Sequence, residues 1–462
     1  MQKLWGTTAA NARQILKQKV VRPFPVLDRQ RRFVMLRREM FPASPAKYLR
    51  LPSAFRRFAA IGGAAVLIFL GLAGTGCRTA ATRQISNPAP AVARLRAGGS
   101  IHAEADRLVK PLLTSGEVFG MVVGVVTPDG ATQSFGYGRT GRIGDTNAPG
   151  PDDLFQIGSV SKLFAEVLLV QLDADGKIRD DDTVRDILPT NWVVSAEAGR
   201  LTVHQLATHT SGLPREPMTL SQLGSFLDYL VTGHDLYAHL TIPYLQDYLR
   251  HAKPRPKTPP EFIYSNLGAG LLAYLITEKT GRPATDLIEE KICRPLRMND
   301  SVFFLTPEQQ SRLAVGHVGN QACWKPANCP LPPWDMGDLL QPIAGMYSSM
   351  NDMLVFARAN LGMLHLPVES ALAATHREQI QTARGGEALG WMINTFDTGR
   401  RVLTFKDGMV SGYCAYIGLD LDAHVAVVVL SNKFSWDEKV GQNLLLRLAE
   451  AGAAGSIESD GQ

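Results

Sequence analysis

Ser159 and Lys162 stand three residues apart in the stretch Phe155-Gln156-Ile157-Gly158-Ser159-Val160-Ser161-Lys162. On a helix this spacing puts both side chains on one face. The amine can then take the proton of the hydroxyl and leave a nucleophile. Ser159 falls where a turn becomes a helix, so backbone N–H groups and the helix dipole favour negative charge beside it. Alone, S-x-x-K recurs by chance in a chain of 462 residues and most such pairs are solvated. Two further groups raise its weight. Tyr264-Ser265-Asn266 opens a helix after a Pro-rich loop. The phenol can shuttle protons if nearby ammonium groups lower its pKa, and the Asn266 amide can hold a substrate amide. Lys406-Asp407-Gly408 ends a strand. The lysine supplies a fixed charge, and Gly408 lets a substrate backbone approach closely. Taken singly, the second group also reads as a packed tyrosine with a capping Asn, and the third as an edge-strand lysine at a turn. His204 and His209 suggest a Ser-His pair, but Lys162 already places a base beside the serine, so His209 is read as structural.

These groups need a rigid frame. Apolar residues at helical spacing run from Ile101 to Leu113. A hairpin follows, with strands at Gly120–Val126 and Thr132–Tyr137 around Pro128-Asp129-Gly130. The apolar run Leu163, Phe164, Val167, Leu168, Leu169 and Leu172 buries the Ser159 helix. Helical segments then dominate: Val203–Thr208, Leu220–Val231, Ile242–His251, Leu267–Lys279, Ala284–Ile292 and Met353–Leu361. Strand patterns return at Leu389–Phe396, Arg401–Phe405, Gly412–Leu419 and His424–Leu430, before a last helix at about Lys439–Ala449. The expected fold is α+β, an α/β sandwich: an antiparallel sheet built from both ends of the chain, flanked by the terminal helices. A mostly helical domain is inserted at about 175–345. The junction between the two is a natural cleft. The domain is expected over 99–455, with a disordered tail at 456–462.

Charge is unevenly spread. Residues 1–60 carry 14 Lys+Arg against Asp28 and Glu39, leaving 34 basic and 41 acidic residues beyond them. A mildly acidic body without a basic stripe argues against nucleic acid as a partner. Arg56-Arg57 precede an apolar run, Phe58 to Gly76, that ends at Cys77. A charged segment, an apolar core and small residues before a cleavage point make a secretory signal. Leu72-Ala73-Gly74-Thr75-Gly76-Cys77 looks like a bacterial lipoprotein signal in which Cys77 receives the lipid, although Gly74 stands where leucine is usual. An uncleaved membrane anchor or another cleavage point stays open. Each reading makes residues 1–77 an export segment and 78–98 a polar, Pro-containing linker, and puts the body outside the cytoplasm. In an oxidising compartment Cys323 and Cys329 are candidates for a small disulfide loop. No metal or cofactor is expected. The acidic turn Asp173–Lys177 lacks EF-hand spacing, and no zinc-ligand pattern accompanies the cysteines.

Together the three groups occur in an order that resembles the penicillin-recognising serine hydrolases, specifically the class C β-lactamase family, with a β-lactamase/transpeptidase-like fold. The resemblance covers roughly residues 100–450. It includes Leu206-Ala207-Thr208-His209-Thr210-Ser211-Gly212-Leu213-Pro214-Arg215-Glu216, Tyr264-Ser265-Asn266-Leu267 and Ala344-Gly345-Met346-Tyr347-Ser348-Ser349. The Thr-His-Thr-Ser-Gly-Leu-Pro-Arg-Glu run looks closest to AmpH-type D-alanyl-D-alanine carboxypeptidase/endopeptidases. The resemblance implies Ser159 as nucleophile, Lys162 as its base and Tyr264 as proton shuttle. It implies Asn266 on the acyl-side amide, Lys406 on a substrate carboxylate, and an oxyanion hole from the N–H groups of Ser159 and Met409. It implies peptidoglycan stem peptides or β-lactams as substrates. An esterase of the same fold and a catalytically silent cell-wall binding protein are the alternatives. Asp407 departs from the family, which more often has a hydroxyl there. A carboxylate turned into the cleft would oppose recognition of a substrate carboxylate.

Overall fold

The computed structural model describes residues 100–453 apart from 218, 383–384, 397–400 and 436–438. Cys77, the apolar run before it, the 78–98 linker and the 456–462 tail lie outside these residues. Among the described residues no helix is long and apolar enough to cross a membrane.

The elements that frame the site are named in chain order. Helix α1 spans Ile101–Thr114, strand β1 Gly120–Val126, β2 Thr132–Gly138, and helix α2 Ser161–Ala174. Helix α3 spans Asn266–Thr280 and α4 Gly337–Ala344. Strands β3 (Ile380–Thr382), β4 (Gly385–Glu387), β5 (Met392–Phe396), β6 (Arg401–Val410), β7 (Tyr413–Asp420) and β8 (Val425–Ser431) precede helix α5, Lys439–Ala453. The sheet runs β2-β1-β8-β7-β6-β5-β4-β3 and every pair is antiparallel. The first hairpin thus pairs with the last strand, as expected for a sheet built from both chain ends.

Alternation along the strands divides the interior in two. On β1, Met121, Val123 and Val125 face α1 and α5, whereas Val122 and Val126 face α2 and the helical region. Strand β8 repeats the division, with Val425, Val427 and Val429 on one side and Ala426, Val428 and Leu430 on the other. A strand buried on both faces reads as a continuous apolar run, and all seven residues of β1 are buried. The nucleophile helix is buried nearly all round, from Leu163 and Phe164 to Leu172. Surrounded in this way, it holds its first turn rigidly.

Two features differ from expectation. The run expected as a strand from Leu389 begins at Met392, because Gly390 turns the chain at φ +78°. Ahead of it a short hairpin, β3–β4, extends the sheet edge. Cys323 and Cys329 carry separate thiols, so the expected disulfide is corrected. The segment between them is held by other partners. Trp324 N–H donates to the Leu230 carbonyl at 2.7 Å and Cys323 Sγ–H to the Tyr229 carbonyl at 3.9 Å, on the helix Leu220–Thr232. Cys329 instead closes on Val318, accepting from its N–H at 2.9 Å.

Candidate active site

Ser159 sits in a single 3₁₀ turn, Gly158–Val160, that runs straight into α2. Gly158 has φ +55°, a conformation glycine adopts without strain. A methyl group there would stand 2.8 Å from Met409 N, and one on Gly408 would stand 2.0 Å from the Ile157 carbonyl oxygen and 3.0 Å from Ser159 N. Two glycines therefore let strand β6 abut the nucleophile turn. That close approach sets the backbone of Gly408-Met409 directly against that of Gly158-Ser159. The Met409 side chain lines a hollow on the far face of the sheet with Met121, Cys414 and Tyr416, so its backbone is what reaches the turn.

Ser159 Oγ accepts a hydrogen bond from Tyr264 OH at 2.8 Å and lies 3.1 Å from Lys162 Nζ, which donates to it as an ammonium and accepts from it as a neutral amine. Lys162 is 2% exposed. Its Nζ also donates to Asn266 Oδ1 at 3.0 Å and to the Ile343 carbonyl, at the end of α4, at 3.3 Å. Asn266 begins α3, whose N-cap Ser265 accepts from Gly268 N–H at 2.8 Å and donates to the Pro214 carbonyl at 2.6 Å. The Arg215 carbonyl accepts from the Asn266 and Leu267 N–H groups at 3.1 and 3.3 Å, which ties the Pro214–Glu216 segment to the same helix start. Asn266 Nδ2 donates to Glu216 Oε1 at 2.8 Å. Asn266 is thus a bridge inside the site, and Arg215 and Glu216 join the site although no role for them was legible in the sequence.

Three cations surround the Tyr264 ring: Lys406 Nζ at 5.0 Å from its centroid, Lys162 Nζ at 5.3 Å and Arg215 Cζ at 5.3 Å. Burial alone would push the phenol up. Lys162, Lys406, the bond to Ser159 and Arg215 outweigh it and hold the phenol at about 8. Burial pushes the Lys162 ammonium down, Lys406 and Arg215 push the same way, and Tyr264 opposes them. A phenol held at about 8 and an amine pushed below its ordinary value suit proton transfer at Ser159. Activity should therefore rise with pH as Lys162 gives up its proton, and fall above the region of about 8, where Tyr264 loses the proton it would hand on. Lys406→Gln removes a cation that favours the phenolate, so the phenol rises. The alkaline limb of kcat/KM should move up by about one unit; a pH–rate profile of the two proteins checks this, and an unmoved limb would exclude Lys406 as the tuning charge.

The histidines take no part in proton transfer at Ser159. His209 accepts from Ser265 N–H at Nδ1, 3.2 Å, with its ring 4.7 Å from that of Tyr264. Burial, then Lys162 and Lys406, drive it far down, so it stays neutral behind the tyrosine. His204 pairs with Asp180 at 3.2 Å on the surface. Among the described residues no cluster of His, Cys, Asp and Glu is placed to hold a metal ion.

Asp407 does not enter the cleft. Strand β6 pairs with β7 without interruption from Thr404 to Val410. Leu403 and Phe405 pack on the terminal-helix side and Val410 on the opposite side, where Gly408 meets the nucleophile turn. Alternation places Asp407 with Leu403 and Phe405, and Lys406 with Gly408. Asp407 acts instead on Glu387, whose carboxyl burial pushes up to about 7, with Asp407 adding and Lys406 opposing. Asp407→Thr should therefore change kcat/KM for penicillins by less than about threefold. A tenfold gain in a side-by-side assay would show that the carboxylate does reach the substrate.

The sheet, the inserted helices and the cleft between them define the class C β-lactamase fold. A solved class C β-lactamase matches 78% of this chain and 97% of its own at TM-score 0.64 and 22% identity. The chain belongs to the beta-lactamase family, whose sequence model matches residues 105–451. The D-alanyl-D-alanine-carboxypeptidase/endopeptidase AmpH of Escherichia coli K12 is 32% identical over 220 residues, 47% of this chain and 54% of AmpH. The chain thus matches about half the length of that relative. A beta-lactamase of Pseudomonas fluorescens is 24% identical over 367 residues, 72% of this chain and 94% of the relative.

Proposed function

We propose that this chain is a serine hydrolase that works through an acyl-enzyme on D-alanyl-D-alanine stem peptides of peptidoglycan, with weak action on β-lactams. The observation that carries the reading is the position of Ser159 Oγ, hydrogen-bonded at once by Lys162 Nζ and Tyr264 OH beside the Lys406 ammonium. The neutral Lys162 amine takes the Ser159 proton as Oγ attacks the substrate carbonyl. Negative charge on the carbonyl oxygen is met by the Ser159 and Met409 N–H groups. Tyr264 returns a proton to the leaving amine, and the C–N bond breaks to leave the acyl ester. Water then attacks that ester by the same route in reverse, and Ser159 regains its proton. Lys406 holds the substrate's terminal carboxylate. The side on which Asp407 lies removes the objection it raised to carboxylate recognition, and the names of the AmpH and Pseudomonas relatives support the substrate class. The export segment at residues 56–77 supports a periplasmic location, with the domain held to a membrane through lipid on Cys77. Mass spectrometry after incubation with a fluorescent penicillin tests the activity. A single adduct on the peptide containing Ser159 is expected, and its absence with every penicillin tried and with an acyl-D-Ala-D-Ala thioester would overturn the reading.

A further inference from the structure

We propose that Glu216 is a positioning residue that keeps the lone pair of Lys162 aimed at Ser159, acting through Asn266; the proposal rests on the acyl-enzyme reading above. A neutral lysine amine has two N–H bonds and one lone pair. Two polar neighbours of Lys162 Nζ are carbonyl oxygens, Asn266 Oδ1 at 3.0 Å and Ile343 O at 3.3 Å. Carbonyl oxygens only accept. They consume both N–H bonds, and the lone pair is left for the hydroxyl side, where Ser159 Oγ stands at 3.1 Å with the Tyr264 hydroxyl beside it. This holds while Asn266 presents its oxygen to the lysine.

An asparagine amide can turn end for end at almost no cost in shape. Turned over, Asn266 would present Nδ2–H to Lys162. The amine would then accept with its lone pair, pointing away from Ser159, and the base would be lost. Glu216 forbids that arrangement. Its Oε1 accepts from Asn266 Nδ2 at 2.8 Å, from Tyr237 OH at 3.1 Å and from Arg215 Nε at 3.3 Å. A carboxylate cannot donate, so a reversed Asn266 would set oxygen against oxygen there. The hydroxyl of Tyr237 and the guanidinium of Arg215 hold the carboxylate in place, and the backbone of residue 215 is itself bound to the start of α3. Glu216 bonds to Asn266, Tyr237 and Arg215 and makes no hydrogen bond to Ser159. Its effect passes through one amide.

The chain of dependence can be read with a double-mutant cycle. Single-turnover acylation by a fluorescent penicillin is measured on the full chain carrying Glu216→Gln, Asn266→Ala, or both. Glutamine keeps the size of the side chain but can donate, so Asn266 is free to reverse. Glu216→Gln should slow acylation about 30-fold while penicillin KM changes by less than about threefold. In the Asn266→Ala background the same change should cost less than about twofold, because the amide that it acts through is gone. If Glu216→Gln does not fold, as judged by circular dichroism, Glu216→Asp carries the same cycle. Its loss too must vanish with Asn266→Ala. Losses that multiply in the double variant would overturn the proposal and leave the acyl-enzyme reading intact. No acylation of the unmodified protein would overturn both.

Discussion

Ser159→Ala should give no covalent penicillin adduct, with acylation falling by at least about 10⁴-fold. The expectation rests on how the nearby hydroxyls are used. Ser161, one turn into the same stretch, is fully buried, and its Oγ donates to the Gly158 carbonyl at 2.6 Å and accepts from Met346 N–H at 3.3 Å. Ser265 is occupied by the Pro214 carbonyl and Gly268 N–H. Neither has an amine beside it, so neither can replace Ser159. The fold should tolerate the change, since Ser159 is half-buried and its loss frees one position on Lys162 and one on Tyr264. Intact mass after prolonged incubation, with a melting curve in parallel, checks both parts. An adduct that persists at another residue would refute the nucleophile assignment.

The sheet and the nucleophile helix were legible in the sequence because burial on two faces writes a strong pattern. The alternating halves of β1 and β8 and the apolar run of α2 leave little freedom about what they are. The edge hairpin β3–β4 was not legible: it is short, its second strand opens on Gly385 and Gly386, and its side chains are only partly buried. Helix α4 was missed for a related reason, since Gly337, Pro342 and Gly345 read as a loop. Yet its Ile343 carbonyl supplies one of the contacts that orient Lys162, and a backbone acceptor carries no residue-type signal. Glu216 was visible only as part of a family run. Beside Arg215 it reads as a surface pair, and what gives it a role is the return of Asn266, 50 residues later, onto the same loop. For Asp407 alternation permitted either face, and the uninterrupted pairing of β6 decides between them. The spacing of Cys323 and Cys329 allowed a bond, but the two thiols are separate and that of Cys323 faces the Tyr229 carbonyl on the Leu220–Thr232 helix.

Lys162→Met should separate catalysis from stability. Methionine fills the same volume without a basic nitrogen, so Ser159 loses its base. The phenol of Tyr264 loses the foremost of the charges that hold it near 8 and rises. Ser159 has then lost its base and the leaving amine faces a weaker acid, and acylation should fall by about 10³-fold or more. Stability should move the other way or not at all. Removing the amine leaves two carbonyl oxygens, of Asn266 and Ile343, without their donor, at a cost of about 1–3 kcal/mol each if neither finds water. Against this stands the cost of keeping a lysine buried at 2% exposure beside Lys406 and Arg215. The penalty for a buried ion is several kcal/mol after relaxation, and burial already drives Lys162 toward its neutral form to reduce it. The two sides are of similar size, so a melting temperature equal to or a few degrees above that of the unmodified protein is expected. Stopped-flow acylation and thermal unfolding in one buffer test the separation. A rate loss under tenfold would mean that another group takes the Ser159 proton. A large fall in melting temperature would mean that Lys162 is held for its hydrogen bonds, and that the site's strain lies elsewhere.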